Sequence, residues 1–120
     1  MTRINAAIHP SELPTKLLVA ERRELIRIPN AVKNGKAKSK PPEKFKLGTG
    51  HVCWFYNRLG YLKKRYIALT EECVKRGIKA TDYLDSFDGV ELNDWEPTLE
   101  DRQIIVDRIR ERGFELLKVK

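Results

Sequence analysis

The stretch Val52–Cys73, VCWFYNRLGYLKKRYIALTEEC, decides the fold. Its apolar side chains Val52, Phe55, Leu59, Leu62, Tyr66, Leu69 and Cys73 recur at spacings of 3, 4, 3, 4, 3 and 4. That period places them on one stripe of an α-helix and on no single face of a strand. The pattern predicts a helix over about 51–76, with Gly60 a point of weakness and Gly77 the stop. Lys63, Lys64 and Arg65 fall on the polar side of the same wheel, and Trp54, Phe55 and Tyr56 read as core aromatics. His51, at the helix start, can touch a phosphate or cap the turn.

Upstream, Leu17, Leu18, Ala20, Leu25 and Ile28 mark a second stripe, with Thr15 after Pro14 as its expected N-cap. Pro29 bends or ends that helix, and any continuation stops at Asn34-Gly35. Downstream, Thr98 and Asp101 form a capping-box pattern before Ile105, Val106 and Ile109, and Gly113 closes this last helix. Residues 33–46 hold six lysines and two prolines with no apolar period and read as a loop. Residues 78–97 read as irregular and acidic. No pair of alternating segments with turn chemistry occurs, so the expected class is all-α, a single 1–120 domain of three main helices.

Charge is unevenly distributed over the 120 residues. Residues 1–46 balance at +7, residues 47–77 at +4 and residues 78–120 at −4, within a net charge of +7. A basic front and an acidic back fit one face built for a polyanion. No apolar run approaches the roughly 20 residues of a membrane span, and no signal-peptide pattern opens the chain. The cysteines Cys53 and Cys73, placed on one predicted helix, are too far apart for a disulfide, which fits a reducing, cytoplasmic setting. Two histidines, with neither Cys-x-x-Cys nor His-Glu-x-x-His, leave no zinc pattern, and no P-loop is present. No metal or cofactor is expected.

Two local features carry chemistry. In Ala20–Arg27, AERRELIR, helical spacing puts Glu24 between Arg23 and Arg27, one acid held among cations suited to phosphates. At the N-terminus, Thr2 is small enough for Met1 to be removed. The exposed α-amine, with an ordinary pKa of about 7.7–8.0, would sit beside Arg3 as a candidate nucleophile.

These residues belong to a longer likeness. MTRIN at Met1–Asn5, SEL at Ser11–Leu13, A-E-x-R-E-L-x-R at Ala20–Arg27 and L-G-x-G-H-V-x-x-F-Y at Leu47–Tyr56 resemble the phage-type pyrimidine-dimer DNA glycosylase/AP lyase family, the T-even phage endonuclease V type. Leu62–Arg65 and Glu72–Gly77 extend the likeness to about residue 80, and Trp95–Arg112 continues it more weakly. The resemblance implies an N-terminal arm threaded between the helices, and a bifunctional DNA glycosylase and AP lyase acting as a monomer on damaged duplex DNA in a prokaryotic or phage-infected cell. It implies Thr2 and Glu24 as catalytic residues, with Arg3, Arg23, Arg27, Lys33, Lys36, His51, Lys63 and Lys64 on DNA. Two positions depart from the family pattern: Leu17 stands where the family places a histidine, and the C-terminus lacks its aromatic tail, offering only Phe114. His9, in a one-residue expansion of the arm, is the alternative histidine. The competing reading is a duplex-binding protein that keeps the fold without the chemistry.

Overall fold

In the computed structural model, which describes residues 3–37 and 40–118, a proline-directed break shapes the first half of the chain. Helix α1 runs Thr15–Leu25 and α2 runs Arg27–Lys33. Pro29 lacks the N–H that would bond Leu25 C=O, and its ring crowds that carbonyl, so α1 ends there and the chain turns at Ile26. The N-cap of α1 is Pro14 rather than Thr15, which instead occupies the first helical position without a capping bond. Asn34 caps α2, and Gly35 follows at φ +68°.

The single helix expected over 51–76 is two: α3, Thr49–Trp54, and α4, Leu59–Lys75. The break falls at 55–58, ahead of Gly60. There Arg58, at φ −132° and ψ 41°, folds its guanidinium back to 3.6 Å from the Trp54 ring centroid and donates to Trp54 O and Asn57 Oδ1. Gly60 serves another purpose. A Cβ there would lie 2.8 Å from the carbonyl oxygens of Leu92 and Asn93, because the acidic segment crosses α4 at this point and accepts a bond from Tyr61 N.

Helix α5, Leu99–Glu111, begins with the Thr98–Asp101 capping box and ends at Gly113, φ +85°. Short 3-10 turns at Pro10–Glu12 and Leu84–Phe87 complete the architecture, and the described residues contain no strand. Three helices, α1, α4 and α5, exceed ten residues and carry the predicted stripes. Leu17, Leu18, Leu25, Phe55, Leu59, Leu62, Tyr66, Leu69, Ile105 and Ile109 join one buried cluster. No disulfide links Cys53 and Cys73.

The arm runs through this core. Ile4, Ala6 and Ile8 are fully buried in the same cluster, and Asn5 is buried with them. Apart from a turn in which Ile8 N–H bonds Asn5 O, the arm's peptide groups depend on side chains for their partners. Arg65 donates to Ile8 O, Arg102 to Ala7 O, Arg108 to Ile4 O, and the Tyr61 hydroxyl accepts from Ala7 N. Several arginines are therefore structural, and the net charge overstates the cations available to a ligand.

Candidate active site

The centre of the arm's anchorage is a buried ion pair that the helical wheel did not reveal. Arg65, assigned to the polar side of α4, is buried and meets the fully buried Glu21 of α1 at 2.6 Å. Burial would neutralise an isolated carboxylate or guanidinium, but here Glu21 receives three donors: Arg65 Nε, Arg65 Nη2 and Asn5 Nδ2. The Glu21 charge holds the Arg65 guanidinium above its ordinary range despite the desolvation that opposes it. On Asn5's other side, its Oδ1 accepts from Arg108 of α5. Thus α1 and α5 grip Asn5 directly, while α4 holds Glu21 and the arm's Ile8 through Arg65.

His51 completes the grip. It is 3% exposed, and its Nε2 accepts the Ile4 N–H at 3.1 Å while Nδ1 lies 3.2 Å from Lys46 O. These partners require the neutral imidazole with its proton on Nδ1. Burial, reinforced by the Arg108 charge, pushes its pKa from 6.5 down to about 4. His51 thus holds the arm from inside, and does not face solvent as the phosphate contact proposed for it would require.

Between pH 6.5 and about 4 the unfolded chain protonates this histidine while the folded protein does not, so stability is lost as pH falls through that window. The shift corresponds to a contribution on the order of 3 kcal/mol, fully present above pH 6.5. Urea unfolding at pH 7.5 and pH 4.5 should show this loss in wild type and a much smaller one in His51→Gln. Equal pH dependence in the two proteins would contradict it.

With the arm fixed, a small cavity of about 130 Å3 opens between arm, α1 and C-terminal segment. Arg3, Asn5, Lys16, Leu17, Glu21, Glu24, Arg112 and Phe114 contribute to its lining. Glu24 is largely sheltered, with its side chain 19% exposed, and Arg27 Nη1 approaches it at 3.6 Å across the α1–α2 break. Arg23 is exposed and is not on the cavity wall, so one of the two expected guanidiniums reaches Glu24. Because Glu21 is committed to Arg65, Glu24 is the acid left for work in this cavity. Arg3, Lys16 and Arg112 have no ion pair among the described residues, which leaves the wall net positive.

The remaining expected sites are more scattered. Lys33 and Lys36 are exposed at the start of the loop, where Lys33 Nζ donates to Asp85 O. Lys64 makes an exposed ion pair with Asp94 at 2.7 Å, and Lys63 is half-buried. His9 caps the first 3-10 turn, with Nδ1 2.6 Å from Ser11 Oγ, and lines a separate open groove of about 660 Å3 with Tyr61, Lys64 and Trp95. It does not reach the cavity. Thr2 lies outside the described residues. Lys16, Asn5 and Arg112 lie on the cavity although neither periodicity nor motif assigned them a site role; the only signal for Lys16 was its place beside Leu17.

A sheltered carboxylate among unpaired cations suits a polyanionic substrate that needs proton transfer at a nearby carbon. The sequence matches the family described as pyrimidine dimer DNA glycosylase over residues 1–85, and the chain belongs to that family, whose enzymes act on damaged DNA. The match spans the arm, α1 to α4 and the Lys-rich loop; α5 and the C-terminal wall of the cavity lie beyond it.

Proposed function

We propose that the protein is a bifunctional glycosylase and AP lyase that uses its N-terminal amine as nucleophile. The observation that carries this reading is the cavity in which the arm sets Arg3 beside Glu24. The role of the Thr2 amine as nucleophile is carried over from the family, and the cavity lined by Arg3 and Glu24 supports it. The amine attacks the deoxyribose C1′, the glycosidic bond breaks, and the base leaves with the bonding electrons. The nitrogen sheds a proton and its lone pair displaces the ring oxygen from C1′; that oxygen takes up the proton, and a protonated imine joins sugar and enzyme. Glu24 takes a proton from C2′, the electrons form the C2′–C3′ double bond, and the 3′ phosphate departs, nicking the strand. Arg3, Arg23 and Arg27 hold flanking phosphates, and Lys33, Lys36 and Lys63 add contacts that do not read sequence. The duplex must be kinked and a base extruded for the arm to reach its target; by analogy with the family, that base is the one opposite the lesion. No metal enters this scheme, and one copy of the chain suffices.

Leu17, buried on the cavity wall, cannot donate a hydrogen bond to a departing base. A bond of that kind to a charged or polarised group is worth about 1.5–3 kcal/mol, roughly 10- to 200-fold in rate. Single-turnover assays should therefore show faster cleavage of an abasic duplex than of a cyclobutane-dimer duplex, with Leu17→His gaining more on the dimer. Cleavage of neither substrate would leave the duplex-binding alternative in place.

A further inference from the structure

The chain beyond residue 85 supplies one wall of the cavity, and the cation it contributes there is the exposed Arg112. We infer that Arg112 is a substrate-contacting residue that binds a phosphodiester oxygen of the damaged strand beside the sugar over Glu24. This deepens the function proposed above and rests on it.

Local structure fixes where Arg112 sits. It is the C-cap of α5, and Gly113 at φ +85° reverses the chain immediately after it. Gly113 N bonds to Arg110 O and Phe114 N to Ile109 O, the paired closure of a Schellman turn. A few residues on, Leu117 N donates to Glu12 O at 2.7 Å, tying the segment to the turn that follows the arm. Phe114 is thereby brought onto the cavity wall, with the Arg112 guanidinium 5.7 Å from its ring centroid. The ring provides a shelf for the cation without consuming its donors.

Electrostatics leave that cation unsatisfied. No carboxylate lies within ion-pair distance of Arg112 among the described residues, and its neighbours include another cation, Arg108, on whose guanidinium it acts repulsively. Arg3 and Lys16 on the same wall are likewise without an ion pair, while Glu21 is occupied by Arg65. A wall with this balance is stabilised by an incoming anion. A planar guanidinium with free donors matches a phosphodiester in two-pronged geometry.

The test uses the full chain and a duplex carrying a tetrahydrofuran abasic analogue, which has no leaving base and cannot form the imine. Binding is measured from 50 to 200 mM salt for wild type, Arg112→Ala, Arg112→Lys and Phe114→Leu. Arg112→Ala should lose about tenfold in affinity at the low-salt end. Its log–log salt slope should fall by about 0.9, the signature of one phosphate contact. Arg112→Lys should restore the slope but only part of the affinity, and Phe114→Leu should weaken binding with an unchanged slope. A structural role alone would lower the melting temperature and leave the slope untouched, which would overturn the inference. So would wild-type affinity and slope in Arg112→Ala. If wild type binds undamaged and abasic duplexes equally, the proposed function fails, yet the slope difference still reads the Arg112 contact. Wild type that binds no duplex would overturn both.

Discussion

Glu24→Gln is expected to cleave abasic duplex DNA about 100- to 10,000-fold more slowly than the parent while binding it at least as well. The substitution keeps the shape of a side chain that is largely sheltered on the cavity wall, and removes only the charge and the proton acceptor. Its ionic partner among the described residues, Arg27, is 60% exposed and 3.6 Å away, so loss of that pair should scarcely change stability. Removing a negative charge from a wall that already carries Arg3, Lys16 and Arg112 should, if anything, tighten phosphate binding. The combination of intact melting, intact or tighter binding and lost cleavage is what separates a proton-transferring carboxylate from a structural one. Equal cleavage rates in parent and variant would take Glu24 out of the mechanism.

The second large effect concerns the other end of the same reaction. A chain whose N-terminus is acetylated, or extended by retained Met1, should bind the abasic duplex and leave it uncut. Acetylation removes the lone pair that attacks C1′, and an added residue displaces the amine from the position set by the arm. The anchorage of the arm starts inward of this point, at Ile4, Asn5 and Ala7, and so should survive either change. Single-turnover cleavage by the two forms is the measurement. Cleavage by the acetylated form at the rate of the free amine would rule out the N-terminal nucleophile.

Much of the fold was legible because it obeys a local rule. The stripes of α1, α4 and α5, the Thr98–Asp101 box and the glycine stops all follow from spacing and capping chemistry, and the structure keeps them. The break at 55–58 was not legible, since Arg58 closing on Trp54 interrupts a stripe whose apolar residues still reach the core on either side. Gly60 misled for a similar reason: it is required by a crossing backbone from residues 92–93, more than thirty positions away in sequence. The site divides along the same line. Glu24 and Arg3 were readable as motif residues, and both line the cavity. Arg65 read as a polar-side residue and His51 as a cap or phosphate contact, because a helical wheel cannot show that the arm will cover the polar side of a helix. Once Asn5, Glu21 and the arm's carbonyls lie there, both side chains become part of the interior. Arg112 was hidden because its role depends on a turn that brings the end of the chain back to its beginning.

This division also explains why so basic a chain offers few free cations at its cavity. Arg22 is bonded to Thr70, Tyr66 and Thr81, Arg76 to Glu72 and the first turn, and Arg102 to Glu12 and the arm. Those guanidiniums hold the scaffold, and the cavity depends on Arg3, Lys16 and Arg112, with Arg27 at its edge.

The central claim, an imine between the N-terminal residue and the damaged sugar, is tested most directly by borohydride trapping on an abasic duplex. Reduction should yield one covalent protein–DNA adduct, and peptide mapping should place it on the α-amine of Thr2, with none formed by the acetylated chain. An adduct on a lysine side chain such as Lys16, or no adduct from a chain that nicks the duplex, would contradict it.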